Sequence, residues 1–391
     1  MYNRWFSVSI MSEMKVALVH DYLNQMGGAE RVVLAFHELF PNAPLYTSIY
    51  DPGRVDPAFQ KIDIRTSFMQ KMPLVKKHHQ PFLPFYPFAM ERLDLRGYDL
   101  VLSSSSAFGK GVITKPETMH ICYCHTPMRW CWNYDEYVER EQLGKLARGV
   151  LPFLITGLRV WDQASAVRVD HFIANSPIVA QRIAKYYRRD AVVIPPPVEA
   201  SRFIFDPTIE PEDYFLIVSR FMPYKRIDLA ISACNQLQLP LVIIGSGRDE
   251  PQLKKMAGST IRFLGGLSDA EVLHYYAHCR ALLLPGEEDF GITPLEAQAS
   301  GRPVIAYGAG GALASIIDGV TGAFFSEQSV ESITEVLASF DERQYDPQTI
   351  RNHALEFDKP RFHRRILQFI EAKMSEGTPN TSRTPTNELV R

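Results

Sequence analysis

ALLLPGEEDFGITPLEAQASGRPVIA, residues 281–306, passes from an apolar run through an acidic glycine loop into a helix and out to a second apolar run. Pro294 suits a first helical position, where its missing N–H is not needed. Glu288 then lies in the loop, and Glu296 in the first helical turn. Ala281–Leu284 and Pro303–Ala306 read as buried strands, and the same alternation extends upstream through Tyr214–Val218, Leu241–Ile244 and Ile261–Leu264. These strands recur roughly every 20–27 residues, which leaves room for a helical crossover between each pair and implies parallel pairing. Ser268, with Glu271 three residues on, forms a capping box that opens a helix running through His278. The second half of the chain is therefore expected to be a doubly wound α/β domain, with ligands at the carboxyl ends of its strands.

Further upstream, VVIPPPVEASRFIF begins at Val192, and Pro195–Pro197 stop both helix and ladder. The expected boundary falls there, between an N-terminal domain over 15–196 and a C-terminal domain over 197–358. In the first half Lys15–His20 reads as a strand, and Val32, Val33, Phe36, Leu39 and Phe40 follow at helical spacing. Leu100–Ser103, His120–Cys124 and His171–Ala174 are further strand candidates. The fold class is thus α/β, two Rossmann-like doubly wound domains in tandem facing each other across a cleft. Residues 359–374 are expected to form a helix packing back on the first domain. Residues 1–14 read as an extension, with Met11 or Met14 as alternative starts, and the polar stretch 375–391 as a disordered tail.

The chain of 391 residues is too long for one ordinary core, in keeping with two domains. Its 42 basic and 44 acidic side chains nearly cancel, which argues against a nucleic-acid partner. Five cysteines do not make a disulfide framework, and their odd number suggests reduced thiols in a cytoplasmic setting. No run approaches the roughly 18–20 apolar residues of a spanning helix, so any membrane contact is expected to be peripheral.

The chemistry concentrates at strand ends. The turn into the 294 helix aims N–H groups of Gly291, Ile292 and Thr293 at the cleft, a ready anion site. In SRFMPYKRIDLAI, residues 219–231, Arg220 and Lys225 follow a strand end and reach the same rim. Taken alone, either cation could belong to a solvated face, and Glu296 could simply complement the helix dipole. Two cations and a helix start converging on one cleft suit a diphosphate, and would remove the need for a metal to neutralise it. In HDYLNQMGGAER, Gly27 and Gly28 stand just before a helix, where a phosphate or sugar can approach the backbone. The segment CYCHTPMRWCWNYDEY, residues 122–137, lacks the spacing of a zinc site, so no metal ligands are assigned.

Arg220 and Lys225, followed by Glu288 and Glu296 at Glu-x7-Glu spacing, resemble the signature of retaining family-four glycosyltransferases with the GT-B fold. The resemblance extends from Lys15 to about Met374, and HTPMR-W is especially similar to the O-antigen mannosyltransferase subgroup. It implies that Arg220 and Lys225 bind a donor diphosphate, that Glu288 contacts the transferred sugar, and that Glu296 holds the nucleotide ribose. It further implies that Phe290, Gly291, Ile292 and Thr293 surround the donor sugar and phosphates through backbone amides, and that His125 reaches the donor sugar. Gly245 and Gly247 resemble the family's Gly-x-Gly turn, Gly266, Leu267 and Ser268 the segment lining the base, and Gly27 and Gly28 the family's GGxE loop. Gly310-Gly311 also matches, whereas Ala314 stands where the family often has Glu. Tyr134 and Asp135 are candidates to approach the acceptor.

Between Arg65 and Arg92 five basic residues face one acid, and aromatic residues broken by prolines follow. Lys71, Lys76, Lys77, Phe82, Phe85 and Tyr86 are the candidates for a weak contact with anionic lipid near an acceptor. The alternative is a loop whose aromatics pack on the domain. The prolines are expected to forbid a continuous amphipathic helix.

The resulting expectation is an enzyme that transfers a hexose, in first place mannose from GDP-mannose, with retention. The acceptor would be a polyprenyl-diphosphate-linked saccharide in surface-polysaccharide assembly, at the inner face of the cytoplasmic membrane. A UDP-sugar donor is the alternative, and no cofactor or metal is expected. A dinucleotide-dependent oxidoreductase would need G-x-G-x-x-G after the first strand, where the chain has only MGGAER. A non-catalytic scaffold binding sugar nucleotide or membrane would not require all four charged residues.

Overall fold

Two wholly parallel sheets carry the part of the chain that the computed structural model describes, residues 14–76, 79–133 and 145–377. The first contains β1 (Val16–His20), β2 (Leu45–Thr47), β3 (Ile64–Thr66), β4 (Leu100–Ser105), β5 (Met119–Cys124), β6 (His171–Ala174) and β7 (Ala191–Val193), in the order β3-β2-β1-β4-β5-β6-β7. The second contains β8 (Phe215–Val218), β9 (Leu241–Ile244), β10 (Ile261–Gly265), β11 (Ala281–Leu284), β12 (Val304–Tyr307) and β13 (Gly322–Phe325), in the order β10-β9-β8-β11-β12-β13. The central strands are buried on both faces, which is why they read as unbroken apolar runs instead of alternating ones. β2, β3 and β7 have three residues each and escape a pattern reading, because so short a strand shows no period.

Helices cover both faces of each sheet. On one side of the first sheet, Val32, Val33 and Phe36 of helix 28–39 pack with Phe362, Ile366 and Ile370 of the last helix. On the other side lie Tyr86, Met90, Phe108, Ile155 and Leu158. The last helix, Lys359–Gly377, thus leaves the second sheet behind and docks on the first, running three residues past the expected end at 374. Phe36 and Phe362 stack with ring centroids 5.7 Å apart, and Lys359 bridges Glu38 and Glu199. Burying each of the three apolar side chains of that helix contributes roughly 1.5–3 kcal/mol to holding the chain's end in place.

In both sheets the strand order reverses at one point, between β1 and β4 and between β8 and β11. Crossovers leave to opposite faces at such a point and open a crevice beyond the carboxyl ends of the strands. The loops after β1, β4, β8 and β11 emerge there.

Candidate active site

The loop after β11 is built to a tight tolerance. Gly291 has φ +80°, a conformation that only glycine adopts freely. The Gly311 N–H donates to the Glu288 carbonyl at 2.7 Å, and a Cβ on Gly311 would lie 2.2 Å from the Phe290 Cα. The glycine pair after β12 therefore supports the acidic loop from behind. Helix Thr293–Ala299 follows, with Pro294 at its second position, one residue later than expected.

Lys225, at the end of a 3-10 turn after β8, forms an ion pair with Glu288. Gly286 makes this possible, since a Cβ there would sit 2.7 Å from the Lys225 Cα. Gly245 and Gly247 serve a similar purpose: added Cβ atoms would meet the Ser219 carbonyl at 1.9 Å and the Phe221 carbonyl at 2.3 Å. They let the Arg220 loop fold down against the β9 turn. Arg220 itself donates to Gln25 Oε1 across the cleft at 3.1 Å.

Further residues join the two domains at this rim. Arg31, in the first turn of helix 28–39, is paired with Glu296, whose other carboxylate oxygen accepts from the Tyr276 hydroxyl at 2.7 Å. The Glu296 charge raises the Arg31 pKa, against the effect of burial. A Cβ on Gly28 would lie 2.9 Å from Ile292 Cδ1, so the glycine loop of the first domain faces the helix start of the second. Asp289 accepts from Arg129 at 2.5 Å and from Arg182, while its backbone carbonyl accepts from the Ser176 hydroxyl at 2.5 Å. The cationic centres of Arg129 and Lys225 each lie 5.1 Å from the Tyr224 ring centroid.

His125 directly follows β5, with Nε2 2.8 Å from the Ser104 hydroxyl. Burial first, then the nearby His20, lower its pKa to about 4, so the ring is neutral at pH 7. Beneath it, His20 and Glu30 are both buried, with Nε2 and Oε1 3.5 Å apart. Burial opposes charge on either group, but their mutual hydrogen bond and attraction raise the His20 pKa and lower that of Glu30. Asp21 accepts from the backbone N–H groups of Ser106, Phe108 and Gly109 and from the hydroxyls of Ser105 and Ser106. It bolts the loop after β4 to the end of β1. Its pKa is lowered because His20 and these donors outweigh burial.

The structure thus brings Arg220, Lys225, Glu288, Gly291 to Thr293, Glu296 and Gly28 to one cleft, with Gly27 capping helix 28–39 beside them, while the Phe290 ring is buried behind the loop against Leu295 and Phe357. Gly266, Leu267 and Ser268 lie farther out, after the edge strand β10, where the Ser268–Glu271 capping box is present as expected. Sequence reading missed Arg31, Arg129, Arg182, Asp289 and the His20–Glu30 pair. Arg31 and Arg129 stand inside the GGAER and HTPMR segments, and Asp289 is the third acid of EED, yet no spacing rule assigns them a partner more than 100 residues away.

The basic and aromatic segment needs one correction. Tyr86 is not a surface residue: it is fully buried and stacked on Phe108 at 4.6 Å, because this short helix turns its face inward. No continuous α-helix forms across the prolines: a 3-10 helix, Gln80–Phe85, with Pro84 inside it, gives way to a six-residue α-helix, Tyr86–Glu91, and Pro81 and Pro87 occupy first-turn positions that need no N–H donor. Phe82 is partly buried against the core, Phe85 and Lys71 are exposed, and Lys76 is half-buried. Lys77, Tyr134 and Asp135 lie outside the described residues. Cys122, Cys124 and Cys131 are buried thiols, and burial raises the pKa of each.

Comparison with known proteins follows the same division of the chain. The model described as Glycosyltransferase Family 4 matches residues 26–202, and that described as Glycosyl transferases group 1 matches residues 201–356. O-antigen chain mannosyltransferase C of Escherichia coli is 30% identical over 153 residues, 35% of this chain and 41% of that protein. The chain therefore spans less than half the length of that relative. Human alpha-1,3/1,6-mannosyltransferase ALG2 is 25% identical over 377 residues, covering 83% of this chain and 86% of the relative. Among solved structures, sucrose-phosphate synthase from Thermosynechococcus elongatus superposes with a TM-score of 0.71 at 18% identity, covering 93% of this chain and all 100% of that one. HepE from Anabaena, in complex with UDP-glucose, gives 0.67 at 17% identity, covering 92% and 100%. At such identities the two structures speak to the fold alone. With two family models end to end over the two parallel-sheet domains, the chain belongs to the family-four glycosyltransferases of the GT-B fold.

Proposed function

We propose that this glycosyltransferase transfers a hexose with retention of configuration, mannose from GDP-mannose in first place, to a lipid-linked saccharide of bacterial surface-polysaccharide assembly. The observation that carries the reading is the convergence of Arg220, Lys225, Glu288 and Glu296 where the two switch points face each other. Arg220 and Lys225 would take the diphosphate, with Lys225 shared between the phosphates and Glu288. Glu296, already held by Arg31 and Tyr276, would accept from the ribose hydroxyls. Glu288 would contact the transferred sugar, and the neutral His125 would offer it a hydrogen bond.

As the glycosidic bond breaks, negative charge grows on the departing diphosphate while the sugar gains oxocarbenium character. Two cations and the N–H groups around Ile292 and Thr293 stabilise that growing charge more than the ground state, which is what lowers the barrier. The cations would serve in place of a metal. The departing phosphate would take the acceptor's proton.

The mannose assignment draws on the two mannosyltransferase relatives. HepE was solved with UDP-glucose, which keeps a UDP-sugar as the second reading. A thermal-shift screen against GDP-, UDP- and ADP-sugars separates them, since a bound donor stabilises the fold. GDP-mannose is expected to raise the melting temperature; stabilisation by UDP-sugars alone would remove the mannose reading. For the acceptor, exposed Phe85 and Phe88, with the Arg92 guanidinium over the Phe88 ring and Lys71 exposed in the same segment, favour contact with an anionic membrane surface from the cytoplasmic side. No described helix is long and apolar enough to cross a membrane.

A further inference from the structure

Far from the cleft, at the opposite edge of the second sheet, three side chains with metal-ligand chemistry converge. Glu212 lies just before β8, and His278 ends the helix that leads into β11. β8 and β11 are parallel neighbours, so their amino ends share an edge, whereas Arg220 and Glu288 follow their carboxyl ends. His274 and His278 stand one helical turn apart, their ring centroids separated by 4.1 Å. Ligand atoms of Glu212, His274 and His278 lie within 4.8 Å of one another.

Two further features prepare this group to bind an ion. The Nδ1 of His278 is 2.8 Å from the His274 carbonyl oxygen, which only accepts. Nδ1 therefore carries the proton, and Nε2 keeps a lone pair for a metal, the usual arrangement behind a ligating imidazole. The Glu212 N–H donates to the His278 carbonyl at 2.7 Å, tying the carboxylate-bearing loop to the same turn. Of the guanidinium groups nearby, Arg280 is engaged by Asp213 and Glu342, and Arg302 donates to the Ala277 and Ile209 carbonyls, so both are committed to partners other than Glu212.

We propose that Glu212, His274 and His278 form a Zn2+ site that pins the end of helix 269–278 to the segment entering β8. Two imidazoles and one carboxylate are a zinc donor set, and water would complete the tetrahedron at this exposed position. The ion takes no part in transfer. Its effect is mechanical: the same helix carries Tyr276, which holds Glu296, and begins at the Ser268 cap.

The test is isothermal titration with zinc chloride, paired with thermal unfolding, on the full chain. The wild type is expected to bind one equivalent in the micromolar range and to melt several degrees higher with zinc. His274→Ala and His278→Ala should each abolish both effects, and Glu212→Gln should weaken binding about tenfold or more. All three positions are at least partly exposed, so the variants should match the wild type's melting temperature in chelator. The five cysteines are buried and offer no accessible competing thiolate in the folded chain. Equal zinc binding by the wild type and the His274→Ala/His278→Ala double variant, or no binding by the wild type at zinc concentrations far above the micromolar range, would overturn the assignment. Neither result depends on any sugar donor, so the proposed transfer reaction stands or falls separately.

Discussion

Replacing Asp289 by alanine should loosen the two domains and slow transfer together. Asp289 belongs to the C-terminal domain, but both of its side-chain partners, Arg129 and Arg182, come from the N-terminal one. Its side chain is 16% exposed, and those of Arg129 and Arg182 are 35% and 19% exposed, so solvent screens these contacts only in part. A hydrogen bond to a charged group is worth roughly 1.5–3 kcal/mol, and partial exposure reduces that. Arg182 retains Glu287 at 3.2 Å, which offsets some of the loss. A net weakening of about 2–3 kcal/mol is a reasonable sum, equivalent to roughly a 30- to 150-fold shift from the closed arrangement towards more open ones. Small-angle scattering should show a larger radius of gyration for Asp289→Ala, and kcat should fall at least tenfold with a smaller change in donor KM. Asp289→Glu should restore part of both. Wild-type scattering together with wild-type kcat in the alanine variant would refute the reasoning.

Other consequences concern stability. Asp162 is fully buried, paired with Lys110, and also accepts from the Trp132 indole at 2.7 Å and the Tyr187 hydroxyl at 2.9 Å. Asp162→Ala strands a buried ammonium, and urea unfolding should show a loss of about 3–5 kcal/mol. Burial lowers the pKa of His120 to about 3 and that of His125 to about 4, below the ordinary 6.5. Between pH 6.5 and those values the unfolded chain binds more protons, so stability falls as pH drops, by up to about 1.4 kcal/mol per unit for each histidine. Unfolding midpoints at pH 7 and pH 5 should show this, and His120→Gln should reduce the difference. His20 acts in the other direction: its raised pKa gives stability that is complete below pH 6.5 and lost as pH rises through the folded value.

What could be read from sequence was what is local. The β8–β12 strands were legible as apolar runs because parallel strands are buried on both faces, and the Ser268 cap because its partner is three residues away. Lys225 and Glu288 were legible as strand-end residues, since the reversal of strand order dictates where ligands lie. Their direct pairing was not, because it depends on Gly286 admitting the Lys225 backbone. Arg31–Glu296 spans 265 residues and Arg129–Asp289 spans 160, and such contacts exist only once two domains have closed on each other. Tyr86 was placed on the surface by composition alone, whereas stacking on Phe108 buries it.

The central claim is that Arg220, Lys225, Glu288 and Glu296 form the donor site of a retaining transferase. It is tested most directly by incubating the wild type and Lys225→Ala with the donor that stabilises the fold and a lipid-linked acceptor, and reading the product's anomeric configuration by NMR. The account predicts a product with the donor's own configuration from the wild type, and a rate reduced at least 100-fold for Lys225→Ala through lost stabilisation of the departing diphosphate. An inverted product, or near-normal transfer by Lys225→Ala, would contradict it.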